Sequence, residues 1–365
     1  MSLIDGSVLE GGGQILRNAV SLSGLLSKPI SIQKIRNNRS PPGLRNQHRT
    51  GRLELAAKIA SAQLTGAQNG SSEIEFIPGH IALPNHYTAD SITAGSITLL
   101  LQVALPLLLF SPKPVPASTL TLLGGTNATM APQVDYTKHV FLPFIQRHFG
   151  ATNISLDINK RGYYPKGGGE VVMSVVPLSG PTEKLRSFSL MERGRVKWIS
   201  GIAHYAGLPT VVGKGMVEGA ERRLAEAGFS KESMREPNSL TRGAGSGIVL
   251  WAELEGGGMI GGSAVGTKGV PPEKVGEQAA DELIKGLMDG GCVDEWLQDQ
   301  IIIFMALADG TSEVNCGKVE LSLHTRTAIW LAEQLTEAKF EVVQSAGQTV
   351  IRCQGIGYTA PASSS

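Results

Sequence analysis

The segment GQILRNAVSLSGLLSKPISIQKI, residues 13–35, contains the pattern on which much of the chain is built. Apolar residues recur at helical spacing as far as Leu26, and the run from Ile30 to Ile35 alternates as a strand does. The order of apolar helix, short strand, amphipathic helix and strand then occurs twice more along the chain. We therefore predict an α/β protein, of the α+β type, in which three similar copies form one large domain.

The copies have definite predicted boundaries. The predicted helices are 13–26 and 47–64 in the first copy, 90–110 and 136–149 in the second, and 295–308 and 325–338 in the third. The predicted strands are, in the same order, 30–35 and 73–77, 119–123 and 153–158, and 319–323 and 340–343.

Residues 186–286 interrupt the pattern and carry elements of their own. Those elements are predicted strands 196–202 and 247–253 and predicted helices 213–227 and 271–289. We interpret this stretch as a smaller, inserted α/β domain. The large domain then comprises residues 1–185 and 287–360, and residues 361–365 are expected to form a flexible tail.

The composition limits the kind of protein this is. A hydrophobic content of 41% is enough to fill globular cores, and 33 Lys and Arg against 32 Asp and Glu give a net charge of +1. Any contact with nucleic acid should therefore be local.

Three cysteines without metal-binding spacing favour a reducing, intracellular compartment. No signal segment is evident and the apolar run 97–110 is short, so we expect no membrane association, and no obligate protein partner is evident.

The turns between the short strand and the second helix of each copy hold unusual residues. These turns contain residues 36–48, residues 124–127 with the nearby Pro132, and His324. If the copies pack around a pseudo-three-fold axis, the three turns converge on one cleft, with helix N-termini suited to binding phosphate. Three independent loops far apart are the alternative.

A basic run and a glycine triplet indicate an anionic ligand. Residues 34–52 contain six Lys or Arg, one His and no acidic residue. Guanidinium groups bind phosphate oxygens in pairs, so the run favours a phosphate-rich ligand, although a solvated basic loop is the alternative. Glu10 precedes three glycines whose N–H groups could approach an anion, while its carboxylate could hold a magnesium ion.

His324 differs from the other histidines in its predicted position, at the end of strand 319–323 and directly before a helix. A neutral imidazole there can attack phosphorus, although a structural histidine is the alternative. Trp296 could stack on a flat base that Asp299 or Gln300 reads; an ordinary acidic helix start with a core tryptophan fits equally well. The patterns of phosphate-loop, dinucleotide, zinc and serine hydrolase sites do not occur in the sequence.

With these residues collected, the chain resembles the RNA 3′-terminal phosphate cyclase family along nearly its full length. The motifs that carry the resemblance are residues 10–17 (EGGGQILR), 36–48, 124–127 (GGTN), 161–170 (RGYYPKGGGE), and Asp299-Gln300 followed by Leu323-His324-Thr325. The resemblance implies a large domain of three βαβαβ-type repeats around a pseudo-three-fold axis, akin to the C-terminal domain of translation initiation factor three, with a smaller inserted α/β domain.

The implied activity is an ATP-dependent, ligase-type reaction that converts the 3′-terminal phosphate of an RNA to a 2′,3′-cyclic phosphate. His324 is implied as the nucleophile that forms a covalent histidyl-AMP. AMP then passes to the RNA 3′-phosphate, and the neighbouring 2′-hydroxyl closes the ring and releases AMP. The implied partners are ATP, a divalent metal (Mg²⁺ or Mn²⁺) and an RNA that ends in a 3′-phosphate.

The resemblance also implies a role for individual positions. The resemblance implies that Glu10 supplies the carboxylate that binds the metal ion. The implied ligands of the nucleotide and RNA phosphates are Arg17, Arg36, Arg39 and Gln47. The implied adenylate pocket consists of Gln102, Pro132, Trp296, Asp299 and Gln300. A tyrosine is more usual in the family where this chain has Trp296, and the larger ring should still stack on adenine.

Other functions remain open at this stage. The family has a non-catalytic branch that acts in ribosome assembly and lacks the nucleophilic histidine, so the presence of His324 favours the enzyme. A catalytically silent RNA-binding factor and an enzyme acting on a small phosphorylated metabolite are the alternatives. Residence in the nucleus, with the cytoplasm as a second location, is implied by the family alone.

Overall fold

The computed structural model describes residues 1–46, 49–92, 94–229, 233–235 and 243–361, and its main elements are four mixed sheets with helices packed on them. The strands of the first sheet are β1 (Ser2–Asp5), β2 (Ile30–Gln33), β3 (Gln63–Thr65) and β4 (Ile74–Ile77). Those of the second are β5 (His86–Asp90), β7 (Ser118–Gly124), β8 (Ile154–Lys160) and β9 (Gly169–Val175). Those of the third are β11 (Ser189–Leu190), β16 (Asp309–Asn315), β17 (Lys339–Ser345) and β18 (Gln348–Ile356).

The first three sheets share one connectivity. Their strand orders are β1-β2-β4-β3, β5-β7-β9-β8 and β11-β16-β18-β17. In each sheet the first two strands of this order are parallel and the other two pairings are antiparallel. The protein therefore has the mixed α/β architecture expected from the sequence, whereas a three-fold axis relating the sheets remains a prediction.

The fourth sheet lies in the stretch that interrupts the copies. Its strands are β12 (Val196–Ala206), β13 (Ser233–Arg235), β14 (Gly245–Leu254) and β15 (Met259–Val265), in the order β13-β12-β14-β15. A short parallel pair, β6 (Phe110–Ser111) with β10 (Leu178–Ser179), stands apart from these sheets. The strand β11 lies within the predicted inserted domain, residues 186–286, but it pairs with β16 of the third sheet. The exact limits of the inserted domain therefore remain a prediction.

Eight helical segments, α1 to α8, complete the part of the fold that the structure describes. They are α1 (Gly13–Leu26), α2 (Glu54–Ile59, preceded by the helical turn Arg49–Leu53), α3 (Ile97–Leu108), α4 (134–149), α5 (Thr210–Glu226), α6 (Pro272–Asp289), α7 (Glu295–Leu307) and α8 (Leu323–Leu335). None of the described helices combines the length and the apolarity that a membrane crossing needs.

Two separate apolar cores follow from this arrangement. The larger core includes the buried faces of α1, α3 and α7, and α1 packs against both α3 and α8. The smaller core lies between α5, α6 and the fourth sheet. Burying each side chain as large as Leu or Ile contributes roughly 1.5–3 kcal/mol, so the apolar faces of these helices hold the two cores together.

The sequence prediction of a strand at 319–323 is wrong. Residues 318–322 contain no strand, and α8 begins at Leu323, where the Ser322 hydroxyl accepts a hydrogen bond from the Thr325 N–H at 3.2 Å. This capping satisfies an N–H that has no partner within the helix. The strand that belongs to the third sheet in this region is β16, which directly follows α7. His324 lies in the first turn of α8 rather than at the end of a strand.

The helix predicted at 90–110 also begins later than expected. Asp90 ends β5, and its carboxylate accepts the Ile92 N–H at 2.6 Å, so the chain turns before α3 starts at Ile97. Several strands were not predicted, among them β1, β5, β9 and β18. By contrast, α1 has the predicted boundaries, and it ends where Ser27 adopts a left-handed conformation (φ 52°).

A buried ion pair joins Asp135 of α4 to Arg161, which directly follows β8. Arg161 donates to both carboxylate oxygens of Asp135 at 2.6 and 2.8 Å, and both side chains are almost fully buried. Burial alone would raise the pKa of Asp135, but the Arg161 guanidinium lowers this pKa to about 2. His204 of β12 completes the network, because its Nδ1 lies 2.8 Å from the Tyr163 hydroxyl and its Nε2 lies 2.9 Å from the Gln133 Oε1.

We predict that Asp135→Asn lowers the free energy of unfolding by about 3–5 kcal/mol, because the substitution leaves the Arg161 charge buried without a counter-ion. Chemical denaturation at neutral pH measures the loss. In Glu226→Gln, which removes an exposed partner of Arg223 at 3.8 Å, the loss should stay below about 1 kcal/mol. Equal losses in the two variants would contradict the prediction.

Candidate active site

A cavity of about 740 Å³ lies where α1, α3, α7 and α8 meet the loops at 36–39 and 128–132. Nine of the residues predicted to form the site line it: Glu10, Arg17, Arg36, Arg39, Gln102, Pro132, Trp296, Asp299 and His324. The turns expected to converge therefore do meet, since one cavity contacts Arg36, Pro132 and His324. Gln47 lies outside the described residues.

Gln300 stands behind the wall of the cavity. Its side-chain amide donates to the Trp296 carbonyl oxygen at 2.6 Å, and its Oε1 accepts from the Gln102 amide at 3.1 Å. Pro132 is held by its carbonyl oxygen, which accepts a hydrogen bond from the Thr98 hydroxyl at 2.8 Å. These contacts fix the positions of Gln102 and Pro132, which do face the cavity.

The glycine triplet positions a carboxylate at the mouth of α1. Gly12, the N-cap residue, has an extended backbone, and a Cβ added there would overlap the Glu10 carboxylate. Gly11 has a φ of +59°, a conformation that glycine adopts without strain. Glu10 Oε1 accepts from Arg39 Nη2 at 2.8 Å, whereas Oε2 is buried and has no hydrogen-bond partner. A buried, unpaired carboxylate oxygen is costly, and a cation would satisfy it.

Three guanidinium groups gather beside Glu10. Arg17 is 7% exposed and Arg52 is 5% exposed, and in these two residues and in Arg36 the Nε atom is buried without a hydrogen-bond acceptor. Burial lowers the pKa of Arg17, although Asp299 and Glu10 oppose this effect. Burial, together with the charges of Arg17 and Arg36, lowers the pKa of Arg52 to about 9. The cluster is an electropositive wall in which three buried Nε donors lack partners among the described residues.

His324 is oriented by a relay of two other side chains. Its Nδ1 lies 2.9 Å from Gln14 Oε1, and Gln14 Nε2 donates to Asp299 Oδ2 at 2.9 Å. An ionised carboxylate can only accept, so the amide turns its N–H groups to Asp299 and its oxygen to the imidazole. His324 then carries its proton on Nδ1, and its Nε2 keeps the lone pair that a nucleophile needs.

Asp299 is a carboxylate in a poorly solvated place. Burial raises its pKa to about 7, against the opposing effect of the Arg17 charge. Its ionised form, which anchors the relay, therefore predominates only above neutral pH.

The indole of Trp296 also lines the cavity. Its Nε1 donates to Glu282 Oε1 of α6 at 2.7 Å, which fixes the ring while one part of it faces the cavity. Trp296 is half-buried, so it is not an ordinary core tryptophan. A flat aromatic face beside a cationic wall suits a ligand that has both a planar base and phosphate groups.

Sequence analysis did not single out Gln14 or Arg52. Gln14 belongs to the segment 10–17, in which the sequence predicted roles for Glu10 and Arg17. Its partners lie 285 and 310 residues away in the sequence. Arg52 belongs to the basic run 34–52, and its place at the start of a helix with a buried apolar face is the one signal that could have separated it from solvated arginines.

We predict that Asp299 makes the unfolding free energy depend on pH. Its pKa is about 7 in the folded protein and about 3.9 in an unfolded chain, so the folded state binds the extra proton between these values. Stability should therefore fall as pH rises from about 4 to about 7, by at most about 1.4 kcal/mol per pH unit from this residue. Asp299→Asn should be flatter over this range when denaturation is measured at a series of pH values; parallel curves would contradict the prediction.

Comparisons with known sequences identify the relatives of this chain. A model of the family described as RNA 3′-terminal phosphate cyclase matches residues 8–342. The RNA 3′-terminal phosphate cyclase of Pyrobaculum neutrophilum is 39% identical over 97% of this chain and 99% of its own length. The protein of that name from Drosophila melanogaster is 41% identical over 97% of this chain and 96% of its own, and that from Methanosarcina barkeri is 43% identical over 94% and 97%. The chain belongs to the RNA 3′-terminal phosphate cyclase family.

Proposed function

We propose that this protein converts the 3′-terminal phosphate of an RNA to a 2′,3′-cyclic phosphate at the expense of ATP, through a histidyl-AMP on His324 and an RNA-adenylate. The observation that carries the proposal is the hydrogen bond that Gln14 Oε1 accepts from His324 Nδ1, in a cavity that also contacts Arg17 and Arg36. This hydrogen bond leaves Nε2 of His324 as the nucleophilic nitrogen, in the same cavity as arginines that can bind phosphate groups.

In the first step, Nε2 of His324 attacks the α-phosphorus of ATP. A nitrogen–phosphorus bond forms, the bond from that phosphorus to the oxygen bridging to the β-phosphorus breaks, and pyrophosphate leaves. The guanidinium groups of Arg17, Arg36 and Arg39 stabilise the negative charge on the phosphates, and the proton on Nδ1 stays with the relay to Gln14.

In the second step, an oxygen of the RNA 3′-phosphate attacks the same phosphorus and the nitrogen–phosphorus bond breaks, which gives the RNA-adenylate and restores the neutral imidazole. In the third step, the adjacent 2′-hydroxyl oxygen attacks the RNA phosphorus, AMP leaves, and the hydroxyl proton passes to solvent. This closure is intramolecular, so correct orientation contributes more than a strong base.

The other side of the cavity suits the nucleoside. Trp296 offers a face for adenine, and Gln102 and Pro132 complete the slot. Asp299, already bonded to Gln14, serves the relay as well as the adenylate pocket. Gln300 supports this slot from behind through Gln102 and the Trp296 carbonyl.

The unpaired Oε2 of Glu10 fits a divalent cation, Mg²⁺ or Mn²⁺. Mg²⁺ in phosphate-transfer sites is held by one or two carboxylates and by the substrate phosphates, so one carboxylate beside an arginine wall is sufficient. When bound, the ion would neutralise phosphate charge. Glu10 is held ready for it by Arg39 at 2.8 Å.

A catalytically silent RNA-binding factor is the second candidate, because an arginine wall alone could retain RNA phosphates. It accounts for the unpaired guanidiniums but not for the ordered relay behind His324. Release of AMP, and loss of the 3′-phosphate's sensitivity to phosphatase, would exclude it. Residence in the nucleus is retained as a further proposal.

We predict that incubation with ATP labelled at the α-phosphate leaves acid-labile, alkali-stable label on the protein, as a phosphoramidate does. His324→Ala should abolish the label, because the variant lacks the attacking nitrogen. His80→Ala, which changes an exposed histidine outside this cavity, should label as the wild type does. Persistence of the label in His324→Ala would remove the proposed nucleophile.

We also predict that Gln14→Ala slows single-turnover labelling about 10–100-fold, since partners that orient a reactive histidine have effects of this size. The dissociation constant for ATP should change little, because Gln14 holds the imidazole rather than the nucleotide. Asn18→Ala on the same helix is the matched control. A changed ATP affinity with an unchanged labelling rate would show that the relay does not position the nucleophile.

A further inference from the structure

Arg52 is a buried arginine for which the described protein supplies no counter-ion. It lies in the helical turn that precedes α2, is 5% exposed and lines the cavity, yet its Nε has no acceptor. Arg161, buried to a similar extent, has both oxygens of Asp135 at 2.6 and 2.8 Å. A buried guanidinium without such a partner destabilises a protein, so its presence calls for a ligand.

The cavity is lined by four acids, Glu10, Glu282, Glu295 and Asp299, and among the described residues none of them lies within ion-pair distance of Arg17, Arg36 or Arg52. Glu10 is already paired with Arg39 at 2.8 Å. Asp299 bonds to Gln14 and is ionised only in part at neutral pH. The charges of Arg17 and Arg36 therefore disfavour the charge of Arg52, and like charges at close range are relieved by an anion placed among them.

We propose that Arg52 is a specificity-determining residue that binds a phosphate group of the substrate together with Arg17 and Arg36, and that its burial without a counter-ion lowers the stability of the ligand-free protein. Identifying the ligand as a phosphate rests on the proposed function. The unpaired Nε atoms of all three arginines are the observation that points to an oxyanion.

The chemistry of the three side chains favours phosphate over a carboxylate. A phosphate group offers three oxygens, each able to accept from more than one guanidinium, whereas a carboxylate is satisfied by one arginine. The phosphate could be part of the polyphosphate tail of a nucleoside triphosphate or the 3′-terminal group of an RNA. A cavity of about 740 Å³ has room for a nucleotide beside the indole.

The test compares the full-length protein with Arg52→Met, which keeps much of the side-chain length and removes the charge. Without ligand, Arg52→Met should unfold at a higher temperature than the wild type, because an unpaired buried charge is gone. Its affinity for one of two phosphate probes, pyrophosphate or an oligoribonucleotide that ends in a 3′-phosphate, should be about 10–100-fold weaker by titration calorimetry, since a charge-assisted hydrogen bond is lost. A variant that is both more stable and a weaker binder is the expected result.

Two arms, one for each probe, distinguish the source of the phosphate. One uses pyrophosphate, and the other compares an oligoribonucleotide that ends in a 3′-phosphate with the same oligonucleotide ending in a 3′-hydroxyl. If Arg52 binds the polyphosphate tail, Arg52→Met weakens pyrophosphate binding and leaves the preference for the 3′-phosphate unchanged. If it binds the RNA end, the preference for the 3′-phosphate is lost and pyrophosphate binding persists.

Two control variants keep the proposal open to contradiction. Arg161→Met, which breaks a satisfied buried pair, should lower the unfolding temperature. Arg52→Lys keeps the charge without the planar fork and should bind with intermediate affinity, which also serves if Arg52→Met fails to fold. A lower unfolding temperature for Arg52→Met, with unchanged affinity in both arms, would overturn the proposal. These binding measurements need no turnover, so they can succeed even if His324 never becomes labelled.

Discussion

One side-chain amide, that of Gln14, connects the three helices on which the candidate site depends. It accepts from His324 at the start of α8 and donates to Asp299 of α7, while its own helix, α1, is buried against α3 and α8. The two hydrogen bonds act in a fixed direction, because a carboxylate accepts and an amide nitrogen donates. The protonation pattern of the imidazole is thereby determined by a residue 285 positions away from Gln14 along the chain.

The sequence predicted the parts of this protein that depend on local pattern. The boundaries of α1 follow from apolar spacing, and the family motifs brought Glu10 and the arginines of the 34–52 run to notice. Strand 319–323 was wrong because three alternating apolar residues resemble a strand, whereas the Ser322 hydroxyl caps a helix there. The relay and the unpaired Arg52 could not be predicted, because both result from contacts between segments far apart in the sequence. Short edge strands such as β1 and β5 carry too few apolar residues to be recognised.

The two buried arginines show what a counter-ion changes. Arg161 and Asp135 satisfy each other, so this pair stabilises the packing of α4 against the end of β8. Arg52 lacks such a partner among the described residues, and its nearest charged neighbours include two more arginines. The same chemical group is thus part of the scaffold in one place and available to a ligand in the other, and the number of nearby carboxylates determines which.

The hydrogen bond from the Trp296 indole to Glu282 links the two apolar cores at the wall of the cavity. Trp296 packs against the larger core, and Glu282 lies on α6, whose apolar face belongs to the smaller one. A shift of one core relative to the other would therefore move the Trp296 ring. Because Trp296 and Pro132 both line the cavity, such a movement would change the shape of the cavity. The interrupting segment can therefore influence the shape of a cavity to which it contributes Glu282, while the other walls of that cavity come from the larger core.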